Sequence, residues 1–315
     1  MIRCFIVTIF SVIILDAAPF ALKRIDVQPN VVRLEHLRDE VQLIVTGQHA
    51  DGHVTDVTHL SKYTIANPAI ATIERALVRS RAQGATDVIV EYGEHQAKIT
   101  VTTEAKARAI SFGHDTLPLL SKLGCSSGSC HGSPHGKGGF RLSLRAFDPV
   151  LDEYTLTREE FGRRTNPLNP VSSLLLAKPS MEVAHEGGRR FRRGDEQYNL
   201  LRDWIAEGCQ VNNNEPSCVK LEVAPVSGRV LKHPAWTQQL RVVAHFEDGT
   251  QRDITRLAVF ESSDDKVADV DLNGRVNGIR RGEAAVLVRY LEHIESVLLT
   301  FVRDVEGFEW PTLPQ

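Results

Sequence analysis

This sequence of 315 residues is short of several things, and each shortage narrows what the chain does. Aromatic residues make up 6%, and methionine occurs twice and cysteine five times. Net charge is only -3, from 37 Lys and Arg against 40 Asp and Glu. That balance gives no basic surface for nucleic acid or an anionic membrane, so neither is expected as a partner. There is no low-complexity tract, no H-E-x-x-H, no phosphate loop and no nucleophile–base pair. His185-Glu186 is only half of a zinc-protease pattern. No catalytic residue is therefore assigned and no enzyme activity is expected. Beyond the N-terminus, no apolar run approaches the roughly 20 residues of a membrane-spanning helix.

What is present reads as globular. Hydrophobic residues reach 42% and charged residues 24%, and the length allows two or three domains. The first residues differ from the rest. One positive charge in Met1–Arg3 precedes an apolar or small run, Cys4–Leu15, and then Ala17-Ala18. This is the layout of a secretory signal with cleavage after Ala17. A buried first strand is the plainer alternative, but the run lacks alternation. The mature chain is thus expected outside the cytoplasm, in the periplasm or at the cell surface.

An internal repeat organises the remainder. Asp51-Gly52-His53-Val54-Thr55-Asp56-Val57-Thr58 matches Asp248-Gly249-Thr250-Gln251-Arg252-Asp253-Ile254-Thr255 at an offset of 197. Leu60 pairs with Leu257 and Ala71 with Ala268. After a one-residue slip, Gly84 pairs with Gly282 and Tyr92 with Tyr290. Both copies alternate with a period of two, as in Val41, Leu43, Val45 and Leu240, Val242, Ala244. The Asp-Gly pairs supply turn chemistry. About seven short strands per copy fit a β-sandwich. On these motifs each copy resembles the bacterial Ig-like domain, group 2. That resemblance implies architecture, spacing and surface display without naming a ligand.

Between the copies the pattern changes. Leu119, Leu120 and Leu123 form an apolar face over Asp115–Leu123. Tyr198, Leu201, Trp204 and Ile205 recur at helical spacing, and Gly208 ends that run. Cys125-Ser126-Ser127-Gly128-Ser129-Cys130-His131 has the form C-x-x-x-x-C-H. It departs from the C-x-x-C-H of covalent haem attachment by two residues. The haem reading makes Cys125 and Cys130 the attachment points for one haem c per chain and His131 the proximal iron ligand. A disulfide between Cys125 and Cys130 is the alternative. A zinc site would need a second ligand pair, and His135 is the nearest extra nitrogen.

The whole middle segment resembles a group of planctomycete-type exported proteins that join Ig-like group 2 domains to a cytochrome c-like region. The matching stretches are Leu123–Gly132, Gly139–Pro149, Arg164–Pro179, His185–Gly188 and Leu201–Gly208. The resemblance implies a histidine at position 185 and so favours His185 as distal ligand over Met181. A solvent-exposed loop histidine is the bland reading. Arg189, Arg190, Arg192 and Arg193 suit haem propionates or, equally, a solvated docking face. Cys209 and Cys218 are expected to form a disulfide across a short polar loop, worth on the order of 2–3 kcal/mol.

The expected fold is mainly β with an α-helical insert: two Ig-like β-sandwiches flanking a small all-α cytochrome c-like domain. Its parts are a signal peptide at 1–17, Ig-like domains at 22–104 and 220–304, the cytochrome c-like domain at 109–211, and a tail at 305–315. The leading expectation is a haem-bearing electron-transfer module with an unidentified redox partner. The alternative is a cell-surface adhesion or structural protein with disulfides and no haem.

Overall fold

The computed structural model describes residues 21–305 and 307. The expected signal peptide, Cys4 and most of the expected tail lie outside the described residues.

The first copy of the repeat folds into ten strands. They are β1 (Leu22–Gln28), β2 (Val31–His36), β3 (Glu40–Gln42), β4 (Ile44–His49), β5 (Val54–Asp56), β6 (Lys62–Ile65), β7 (Ala71–Glu74), β8 (Leu77–Ser80), β9 (Gly84–Tyr92) and β10 (His95–Lys106). They form sheets of order β1-β4-β5, β2-β10-β9-β6 and β3-β8-β7. The hairpin β9–β10 pairs Val90 with Ala97 and Val88 with Ile99, and β2 joins β10 in parallel. Val88, Val90, Ile99 and Val101 are buried inside while alternate residues face out. The period of two in the sequence is therefore one face of a sheet on a core.

The second copy repeats this order with β11 (Cys218–Ala224), β12 (Arg229–Lys232), β13 (Thr237–Gln239), β14 (Arg241–Phe246), β15 (Gln251–Asp253), β16 (Val259–Ser262), β17 (Ala268–Val270), β18 (Arg275–Gly278), β19 (Gly282–Tyr290) and β20 (His293–Val302). Its sheets run β11-β14-β15, β12-β20-β19-β16 and β13-β18-β17. Each copy holds more strands than the seven expected, because short β3, β7 and β8, with their counterparts β13, β17 and β18, form a third small sheet.

The repeated motif has a local cause. Asp51 Oδ1 accepts from His53 N–H at 3.2 Å, and Asp248 Oδ1 accepts from Thr250 N–H at 2.9 Å. Gly52 and Gly249 take positive φ, 87° and 82°, in the same turn. Further on, Asp56 Oδ1 accepts from Thr58 N–H at 2.7 Å, and Asp253 Oδ1 from Thr255 N–H at 3.1 Å. Each threonine hydroxyl then accepts from the neighbouring strand, Val45 N–H at 2.8 Å and Val242 N–H at 2.9 Å. Asp and Thr are needed because only short polar side chains bond the backbone two residues away.

The second carboxylate oxygen of each aspartate crosses to the other copy. Asp253 Oδ2 accepts from Gln42 N–H at 3.1 Å, and Asp56 Oδ2 accepts from Gln239 N–H at 2.5 Å. Gln42 Oε1 accepts from Arg256 at 3.3 Å, while Gln239 Oε1 lies 2.8 Å from His59 Nε2. At the offset of 197 these are the same contacts exchanged. The two copies meet through one surface used twice, as in an isologous dimer.

The middle segment corrects the expected all-α cytochrome c-like domain. Its helices are short: α1 (Leu117–Lys122), α2 (Pro149–Thr157), α3 (Leu174–Ala177) and α4 (Glu196–Ala206), with π- and 3₁₀-turns between. Its apolar residues do not close a core of their own. Phe112, Leu119, Leu120, Leu176 and Trp204 run into the core of the second sandwich, continuous with Leu240, Val286 and Phe301. The first sandwich keeps a separate core around Leu43, Val88 and Val101. Polar contacts add to the join. Lys122 Nζ donates to Ala258 O at 2.5 Å, and Tyr290 Oη donates to His114 O at 2.8 Å. Helices this short gain most of their stability from packing, and the second sandwich supplies the surface. The molecule is thus two β-modules with a small-helix insert layered on the second.

Candidate functional site

The C-x-x-x-x-C-H segment leaves α1 as a tight loop. Cys125 N–H donates to Leu120 O at 2.9 Å, His131 N–H to Cys125 O at 3.0 Å, and Leu142 N–H to His131 O at 2.7 Å. Gly132 lies so close to the loop that a Cβ there would stand 2.1 Å from Ser126 O. This loop, the β-bridge between Lys137 and Phe140, α3 and the 184–190 loop enclose a cavity of about 400 Å³.

Four of the expected site residues meet in it: Cys125, Cys130, His131 and His185. The imidazole centroids of His131 and His185 are 6.4 Å apart, with planes 18° from parallel. Phe140 O lies 2.9 Å from His131 Nδ1, and Gly188 O lies 2.8 Å from His185 Nδ1. A carbonyl only accepts, so both rings carry their proton on Nδ1 when neutral and keep Nε2 as an acceptor. Burial pushes the His131 pKa down, against the carbonyl bond that raises it. Gly187 makes room for the second ring, since a Cβ there would stand 2.7 Å from His185 Cε1.

Met181, the alternative to His185, is exposed and does not line the cavity. Of the arginine cluster only Arg190 reaches it, with Nη2 3.7 Å from Cys130 Sγ. Arg189, Arg192 and Arg193 are exposed. Sequence reading did not assign Arg163, Arg164, Phe140, Leu174, Leu175 and Lys178 to the site, and they also line it. Arg164 is held over the Phe140 ring at 4.6 Å and donates to Thr155 O at 2.7 Å. All but Arg163 lie in the stretches Gly139–Pro149 and Arg164–Pro179 that carry the resemblance, but nothing there marks them as lining one cavity, because α3 and the 163–164 turn reach it only through the fold.

Two expectations need correction. All four described cysteines are free thiols. Cys218 Sγ faces Lys220 O at 3.7 Å and Cys209 faces Thr165, so the Cys209–Cys218 disulfide is not formed. Haem c on Cys125, Cys130 and His131, with His185 or Met181 as distal ligand, is also set aside. The cysteine spacing is not C-x-x-C-H, and the all-α domain expected to enclose the group is not formed. Burial pushes the Cys125 thiol up to about 12, with Arg190 pulling it down, so Cys125 holds its proton at neutral pH. Among the described residues, no three His, Cys, Asp or Glu side chains gather as a metal site. The electron-transfer role and the redox partner depended on haem and go with it.

No family model matches the chain. No curated protein matches it either. Among solved structures it is similar to domains 5–6 of the S-layer protein SbsC, at 12% identity and a TM-score of 0.33, over 89% of this chain and 98% of that one. A longer SbsC stretch, domains 4–9, aligns at 11% identity and 0.33, over 90% of this chain and 32% of that one. Extracellular domains 3–5 of Drosophila OTK align at 7% identity and 0.19, over 90% and 63%. These scores are too low to assign the chain to any of those folds. No helix among the described residues is long and apolar enough to cross a membrane.

Proposed function

We propose that this chain is an exported structural protein of the cell surface, in which a pair of Ig-like modules carries a helical insert. The observation that supports this most is the reciprocal clamp between the copies. Gln42 with Asp253, and Gln239 with Asp56, fix two β-modules against each other with buried polar contacts. Buried hydrogen bonds that must be satisfied together favour one relative placement. Such a pair acts as a stiff spacer rather than a flexible string. The N-terminal apolar run of Cys4–Leu15 supplies a route out of the cytoplasm. Its partner would be another protein at the surface or a further copy.

The test is location. Intact cells of the native host are treated with a protease that does not enter them, and the chain is followed by antibody. Loss of the signal from intact cells is expected, together with a mature N-terminus at Ala18. Recovery of a full-length, protected chain from the cytosol would overturn the reading.

A further inference from the structure

The cavity between the two histidines has a lining that the structural role does not use. Its floor is apolar, made of Leu120, Phe140, Leu142, Leu174, Leu175 and Pro179. Its edge is cationic, with Lys137, Arg163, Arg164, Lys178 and Arg190. Two of these have partners: Arg164 lies 2.9 Å from Glu159 Oε2 and Lys137 lies 3.5 Å from Glu186 Oε2. Arg163, Lys178 and Arg190 have no carboxylate partner among the described residues. His185 Nε2 also has no hydrogen-bond partner there, and its tautomer makes it an acceptor, whereas the His131 ring is held by the backbone of Phe140 and Lys137.

We infer that this cavity binds a small amphiphilic anion: an apolar, ring-sized body bearing a carboxylate and an N–H or O–H donor. The apolar body would lie on Phe140 and the leucines. The carboxylate would take the place of the missing partner at Arg163, Lys178 and Arg190, where a guanidinium suits bidentate pairing. The donor would meet His185 Nε2. About 400 Å³ with an apolar floor and a few converging polar groups is the usual size and make-up of a small-molecule site. The insert also carries exposed apolar side chains outside this cavity, among them Phe147, Val150, Tyr154 and Phe161, and these give a built-in control.

The probe is indole-3-acetate, titrated into the full mature chain by calorimetry. Two analogues separate the contributions: indole-3-acetamide lacks the charge, and 1-naphthaleneacetate lacks the N–H donor. Saturable binding of indole-3-acetate at one site per chain is expected. The amide should bind about tenfold more weakly or worse, and the naphthalene acid a few-fold more weakly. Arg190→Gln, at an exposed position, should weaken the acid while leaving the amide unchanged. Val150→Ser, at an exposed position outside the cavity, should change neither. Equal binding of acid and amide would overturn the inference, as would indifference to Arg190→Gln or no saturable binding. So would native protein that arrives with a group covalently attached to Cys125 and Cys130.

Discussion

Asp115 shows how a single side chain ties the insert down. It is 2% exposed and accepts from Arg108 Nη1 at 2.8 Å and Ser111 N–H at 2.9 Å, and it also pairs with Arg252 of β15. Burial alone would raise its pKa, but Arg252 and Arg108 together hold the carboxyl well below the usual range. A lowered folded-state pKa contributes stability that is complete above the unfolded value, near 4, and drains away as pH falls. Acid titration of unfolding should therefore show loss of stability below about pH 4 that Asp115→Asn lacks. At neutral pH the same variant leaves two half-buried cations without their carboxylate and should cost about 2–3 kcal/mol in urea unfolding. A cost under about 1 kcal/mol would show that the triad is not a structural join. Gly187 is a second sensitive residue. Gly187→Ala should displace the His185 ring, and the change should appear in the imidazole NMR signals of His185 and His131 with little effect on overall melting.

At the scale of elements, α4 decides whether the insert and the second sandwich are one unit. Trp204 and Leu201 are fully buried, and the Trp204 ring stacks on Phe112 at 5.4 Å. Trp204 Nε1–H donates to Gln210 O at 3.2 Å. Trp204→Ala removes the largest fully buried side chain among the described residues and should cost about 3–5 kcal/mol. Because this core continues into the second sandwich, hydrogen exchange should quicken in β19 and β20 along with α4. Strands β9 and β10, on the separate first core, should keep their protection. Equal loss in all four strands would mean a single cooperative core instead.

At the scale of the whole molecule, the duplication becomes an interface. Gln42 Nε2 donates to Leu43 O and Ala76 O at 3.0 and 3.3 Å, and Gln239 Nε2 donates to Leu240 O and Asn273 O, both at 2.8 Å. The two glutamines are equivalent in the repeat and both nearly fully buried. Gln42→Ala and Gln239→Ala should thus destabilise by similar amounts, about 1–3 kcal/mol each. Both should increase the radius of gyration in small-angle scattering by loosening the pair. Costs differing by more than about 2 kcal/mol would argue against an interface used twice.

The sequence alone determined the β-modules. Alternation at Val88 and Val90, the Asp-Gly turns and the Asp-x-Thr bonds are local, and a local pattern repeated at an offset of 197 needs no knowledge of distant contacts. It also marked Cys125, Cys130, His131 and His185, which do converge. It misjudged the insert because helical periodicity says which face is apolar and not what covers it. Leu119, Leu120 and Trp204 read as the core of a small all-α domain, yet the second sandwich covers them. Only the tertiary structure decided that Cys209 and Cys218 stay apart and that Arg163 and Lys178 join Arg190 at the cavity edge. These are meetings of residues from separate loops, which no local pattern in the sequence records.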